Sequence, residues 1–267
     1  MSNPVVVTEI RNRAMWIRLN RPEAMNSLNP QVLRELDLAL DEAQRNAEVV
    51  CVVLTGTGRA FCAGADLKHV RSEFDAVGSR DFLGEVERVF NRLERLPKPV
   101  IAALNGITLA GGLELLLCCD LVVAAASAVV GDAHANYGLL PGGGSSVRLP
   151  RVIGSTRAKY LLFTGDSLPA AEMQAAGLIN QVVDDPLLED ACQAIADKMA
   201  TKSPLGLRRM KALVDDGMDQ PKDTALRLEL LACEVHAMSD DQREGLAAFQ
   251  EKRVPRFAGR CGCLIPW

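Results

Sequence analysis

The sequence predicts an α/β core that gives way to a helical last third. Apolar runs of strand length alternate with segments whose apolar residues recur every three or four positions, and glycine- or proline-containing turns end the runs. From Ser155 onward the strand-like runs cease while helical spacing continues. Repeated strand–helix–strand steps imply crossover connections and parallel pairing.

In chain order, Val5–Thr8 and Met15–Leu19 are apolar and β-branched with polar turn-formers between them, which predicts a hairpin. Asn29-Pro30 supplies an N-cap and a first-turn proline for a helix whose buried face is Leu33, Leu36, Leu40 and Ala43. Val49–Leu54 is a continuous apolar run entering the loop Thr55-Gly56-Thr57-Gly58, the pattern of a strand buried on both faces. Phe82, Val86, Val89, Phe90, Leu93 and Leu96 mark a second amphipathic helix stopped ahead of Pro97 and Pro99, and Val100–Leu104 follows as a strand. Gly111–Cys119 is apolar all round, so a helix there is interior, and Leu121–Ala125 is the next strand. Ala170–Ala176, Pro186–Thr201, Pro204–Asp215, Thr224–Met238 and Glu244–Glu251 then read as helices. The division expected is a core over residues 1–200 and a C-terminal helical region over 201–267.

Composition narrows the function classes. With 48% hydrophobic and 24% charged residues among 267, the chain can bury a sizeable core and is not an extended disordered one. A net charge of -4 offers no basic surplus for nucleic acid, and the first helix sets two arginines against Glu35, Asp37, Asp41 and Glu42. The stretches Leu113–Cys119 and Leu121–Ala126 are interrupted by Asp120 and too short to span a bilayer; no secretory pattern opens the chain, so a cytoplasmic location is expected. Cysteines 51, 62, 118, 119, 192 and 233 lie mostly in apolar runs, which predicts reduced thiols. Cys261-Gly262-Cys263 has no second Cys/His pair near it, and no metal is assigned.

Two loops carry the candidate chemistry. Arg59–Lys68 and Asn105–Glu114 follow strands, contain glycines, and can present free backbone N–H groups to a ligand. Gly111-Gly112 open the interior helix, where the first N–H groups lack intrahelical acceptors and the helix dipole favours negative charge. Glu114, three residues on, is a carboxylate in an apolar segment: it either caps its own helix or serves as an acid/base.

FCAGADL, NGITLAGGLELLLCCDLVVA about 50 residues later, GLLPGGGSSVRLPRVIG and the final REGLAAFQEKRVPRFAGR closely resemble the successive signatures of the enoyl-CoA hydratase/isomerase (crotonase) family, as does NRPEAMNSLN near the start. The resemblance implies a crotonase-like spiral of ββα units followed by a helical trimerisation region, assembled as a homotrimer or homohexamer. It implies an acyl-CoA thioester as substrate, with coenzyme A entering as part of that substrate rather than as a cofactor. By the same resemblance Ala65 and Gly111 are the N–H donors to the thioester oxygen, and Ala24, Ala63, Asp66, Leu67, Lys68 and Gly112 line the substrate site. Glu114 matches a glutamate with which hydratases of the family activate water. Four residues before Gly138, where those hydratases carry a second glutamate, this chain has His134, with Asp132, Asn136 and Tyr137 nearby to orient or replace it. Hydration of a 2-enoyl-CoA to a 3-hydroxyacyl-CoA is the leading expectation. An enoyl-CoA isomerase, a retro-Claisen C–C hydrolase and an inactive acyl-CoA- or partner-binding relative stand as alternatives.

Overall fold

The computed structural model describes residues 4–74 and 79–259. Strands β1 (Val6–Arg11) and β2 (Ala14–Leu19) form the expected antiparallel hairpin. Helix α1 (Pro30–Arg45) follows, capped by the Asn29 side chain, which accepts from the Val32 N–H at 2.9 Å. Its buried stripe is Val32, Leu33, Leu36, Ala39, Leu40 and Ala43, as the spacing requires.

Then a ββα unit repeats. Strands β3 (Cys51–Gly56) and β4 (Ala60–Cys62) are followed by α2 (Leu67–Phe74) and α3 (Ser79–Glu94). Strands β5 (Val100–Leu104) and β6 (Ile107–Leu109) are followed by α4 (Gly111–Leu116), and β7 (Leu121–Ala125) and β8 (Val129–Gly131) by α5 (Ser145–Ile153) and α6 (Ser155–Thr164). The first strand of each unit joins one sheet and the second joins another. Val52 pairs Val100 and Ile101 pairs Leu121 in the large sheet, while Ala60 pairs Ile107 and Thr108 pairs Val130 in the small one, all parallel. Strand β9 (Ser167–Pro169) completes the small sheet antiparallel to β8. After α7 (Ala170–Ala175), β10 (Gln181–Val183) closes the six-stranded sheet, giving the order β1-β2-β3-β5-β7-β10. Helix α8 (Leu188–Ala200) packs across the large sheet.

Helices α9 (Pro204–Met218), α10 (Lys222–Ala237) and α11 (Asp240–Gln250) form the C-terminal region. The Lys211 ammonium, 2.9 Å from the Asp120 carboxylate, ties α9 to the core. No helix among the described residues is long and apolar enough to cross a membrane.

Several elements depart from expectation. Strands β4, β6 and β8 occupy what reads as loop, and β9 and β10 fall inside the stretch expected to be helical; at three residues each they are too short to show alternation. Helical structure begins at Ser145, ahead of Ser155. Cys261 and Cys263 fall outside the described residues.

Candidate active site

Strands β4, β6 and β8 are parallel neighbours, so their C-terminal ends lie side by side at strand spacing, about 4.8 Å. Each end breaks into a residue with positive φ. Gly64 has φ 103°, Ala110 has φ 50° with ψ -119°, and Ala133 has φ 60° with ψ -8°. A functional group comes directly after each: the Ala65 N–H, the Gly111 N–H and the His134 side chain. Alanine in the left-handed region is disfavoured and persists where surrounding structure holds it.

Ala65 forms an isolated parallel bridge with Leu28, in which Leu28 N–H donates to the Gly64 carbonyl and Asp66 N–H donates to the Leu28 carbonyl, both at 2.8 Å. That pattern uses the neighbours of Ala65 and turns its own N–H away from the ladder. Gly111, the first residue of α4, has no intrahelical acceptor for its N–H. The two groups adjoin: a Cβ built on Gly111 would stand 3.5 Å from the Ala65 nitrogen, and one on Gly64 would stand 3.3 Å from the Gly111 nitrogen. Gly112 lets α4 press onto β4, since a Cβ there would fall 2.0 Å from the Cys62 carbonyl oxygen. The result is a pair of fixed dipoles able to hold an oxyanion.

Glu114 is one helical turn beyond Gly111 on the same face and is 3% exposed. Its Oε1 accepts from the Gly143 N–H at 2.7 Å and the Ser145 N–H at 3.1 Å. Ser145 opens α5, so the carboxylate sits at a helix N-terminus rather than capping its own helix. Burial drives its pKa above the ordinary carboxylate value, against the pull of those two N–H groups and of His134. The turn holding it is itself fixed by Arg148, which donates to the Gly143 carbonyl and to both oxygens of Glu94.

His134 Nε2 lies 3.9 Å from Glu114 Oε2, and Nδ1 is 2.9 Å from Asp132 Oδ1. Burial by itself would lower the imidazole's pKa; the hydrogen bond and charge of Asp132, reinforced by Glu114, hold it above the ordinary histidine value. Of the three neighbours the sequence leaves unranked, Asp132 is the one hydrogen-bonded to the ring. Asn136 donates to the Gly165 carbonyl, and Tyr137 is exposed.

The remaining expected residues border the first loop. Ala63 N–H donates to the Met25 carbonyl, bringing Ala24 and Ala63 together. Asp66 is committed structurally: its Oδ2 meets Arg21 at 2.9 Å, and its Oδ1 accepts from the Lys68 N–H at the start of α2. Leu67 and Lys68 are exposed beside it. Gly143, Ser145 and Arg148 carry no role in the sequence reading, although a glycine triplet ahead of a helix start is the signal for such an N–H cradle. A cleft of ≈ 920 Å³ lies behind the cradle between α3, α5 and the C-terminal helices, with Gly142–Gly144 in its wall.

Residues 9–260 match the family model described as enoyl-CoA hydratase/isomerase. The short-chain-enoyl-CoA hydratase of Clostridium acetobutylicum is 37% identical over 93% of this chain and 95% of that protein. The 1,2-epoxyphenylacetyl-CoA isomerase of Escherichia coli is 39% identical over 96% of this chain and 98% of that one. Among solved structures, an enoyl-CoA hydratase from Bacillus anthracis superposes with a TM-score of 0.92 at 39% identity, covering 96% of this chain and 100% of the other.

Proposed function

The chain belongs to the enoyl-CoA hydratase/isomerase family and is an enzyme of enoyl-CoA thioesters, and we propose that it hydrates a 2-enoyl-CoA to a 3-hydroxyacyl-CoA with Glu114 and His134 as its acid/base pair. The observation that carries this reading is Glu114 Oε2 facing His134 Nε2 at 3.9 Å, one turn along α4 from the N–H of Gly111. Glu114 as carboxylate takes a proton from water as the water oxygen bonds to the β-carbon. The π electrons pass into the thioester, whose oxygen becomes an enolate held by the Ala65 and Gly111 N–H groups; such donors contribute about 2.7–4 kcal/mol each. His134 as imidazolium delivers a proton to the α-carbon. A carboxylate beside an imidazolium has one proton to transfer, as do two carboxylates sharing one, so histidine at this position preserves the transferable proton of a two-glutamate pair.

Assembly through the C-terminal helices is part of the same reading. Met210, Val214, Met218, Leu230 and Phe249 are all exposed apolar side chains on α9, α10 and α11, which a homotrimer would cover. Sedimentation of the purified chain at monomer mass would overturn that part.

The test of the chemistry is steady-state turnover of crotonyl-CoA and of a longer 2-enoyl-CoA, followed by loss of the conjugated-thioester absorbance. Turnover by wild type that falls by about 10²-fold or more in both Glu114→Gln and His134→Ala is expected. Tight acyl-CoA binding without turnover of either substrate would refute hydration and leave isomerisation, C–C hydrolysis or an inactive binder.

A further inference from the structure

We propose that Asp132 is a positioning residue that ties Nδ1 of His134 and thereby leaves Nε2 as the ring atom that exchanges protons with substrate opposite Glu114. The inference rests on the reading of His134 as part of the acid/base pair. Asp132 Oδ1 lies 2.9 Å from His134 Nδ1 and also accepts from the His134 backbone N–H at 3.3 Å. Between them stands Ala133 in the left-handed conformation, and that strained residue is what folds the imidazole back over the side chain two positions earlier. Asp132 is 1% exposed, and its Oδ2 is buried without a hydrogen-bond partner. A buried carboxylate satisfied on one oxygen costs stability, so its service to the ring is the physical reason for a charge there.

A glutamate at the same position would need no such partner. A carboxylate at position 134 has two equivalent oxygens and needs no tautomer set, whereas an imidazole has two inequivalent nitrogens and works as a directed acid/base only when one is tied. The charges acting on His134 are Asp132 from its own turn and Glu114 from α4. Helix α6, packed on the same turn, carries Arg157 and Lys159 on its exposed surface, and the Gly165 carbonyl just beyond its end accepts from Asn136 of the turn. Asp132 therefore both orients the ring and keeps it protonated to higher pH than an isolated histidine.

Two experiments test this. In wild-type protein labelled with 15N-histidine, with His134→Ala used for assignment, neutral His134 is expected as the Nδ1–H tautomer; the Nε2–H tautomer would overturn the proposal with no variant needing to fold. Kinetically, Asp132→Asn, nearly isosteric, is expected to lower kcat by about 10²-fold with KM within about twofold, and to move the alkaline limb of the kcat profile to lower pH. In a His134→Glu background the same Asp132→Asn change is expected to be neutral or to raise kcat, because it removes a like charge and no tautomer remains to fix. An equal fold-loss in both backgrounds would reduce Asp132 to a structural element of the turn and overturn the proposal. Full activity in His134→Ala would instead sink the use of His134 in the chemistry, while the tautomer would still report whether Asp132 holds the ring.

Discussion

Gly143→Ala probes the cradle of Glu114 directly. A Cβ at position 143 would stand 2.8 Å from Glu114 Oε2, 3.0 Å from its Cδ and 2.9 Å from Cε2 of Phe90, all inside contact distance. The Phe90 ring is fully buried and cannot retreat, so strain is relieved mainly by rotation of the carboxylate. Rotation breaks the 2.7 Å bond from the Gly143 N–H, and a hydrogen bond to a charged group contributes about 1.5–3 kcal/mol. If the carboxylate stays, overpacking costs about 1–3 kcal/mol instead. The two routes are alternatives rather than additive, and either destabilises by about 2 kcal/mol, which for a chain of this size lowers Tm by roughly 4–8 °C. Since the lost N–H was holding the carboxyl pKa down against burial, the acid limb of the kcat profile is expected to move to higher pH as well. Thermal unfolding by circular dichroism and a pH series of turnover read both. An unchanged Tm together with an unchanged acid limb would refute the assignment of the Gly143 N–H to Glu114.

Glu114→Gln is expected to lose activity yet unfold at higher temperature than wild type at pH 7. The folded pKa of Glu114 lies above its ordinary 4.5, so the stability tied to its protonated form is present below about pH 4.5 and is lost as pH rises through the folded value; the neutral amide never loses it, and melting curves should converge toward pH 4. Ala110→Gly relieves a conformation costing about 1–3 kcal/mol but adds unfolded-state entropy of about 0.5–1 kcal/mol, so Tm should rise by the equivalent of about 1 kcal/mol. A fall in Tm would show that the Ala110 methyl packs usefully enough to outweigh the strain.

The elements legible in the sequence are those long enough to display a period. Helix α1 declares itself through Asn29-Pro30 and its leucine stripe, and strands β3, β5 and β7 through unbroken apolar runs, because each is buried on both faces and carries its environment in its own composition. The small sheet is illegible for the opposite reason: three residues per strand hold one alternation at most, and its strands exist because successive turns of the spiral bring them into register. The site divides the same way. Family resemblance points to Ala65, Gly111 and Glu114 residue by residue, but the ranking of Asp132 over Asn136 and Tyr137 depends on the φ of Ala133, and the N–H groups on Glu114 come from a glycine turn and the helix start after it, about 30 residues downstream. Backbone donors have no side-chain signature, so only the glycines that make room for them leave a trace.

The repeat that builds the fold also builds the chemistry. Each turn of the spiral sends a short strand into the small sheet, and each strand ends by reversing into positive φ before the chain leaves for its helix. Parallel neighbours end at the same edge, so one local event occurring three times sets two backbone donors and an imidazole side by side without any long loop having to be ordered for the purpose. Specialisation then requires changing only the residues next to the reversal. After Gly64 and Ala110 the next peptide N–H faces the site, and α4, opening at the second reversal, carries Glu114 one turn further along the same face. After Ala133 the side chain does so instead, because Asp132, fixed at the end of β8, binds both the backbone N–H and the ring of His134. The placement of the two backbone N–H groups is thus a property of the repeat, insensitive to side-chain identity at Ala65, whereas the acid/base role proposed for the third position rests on the side chains of two residues, Asp132 and His134.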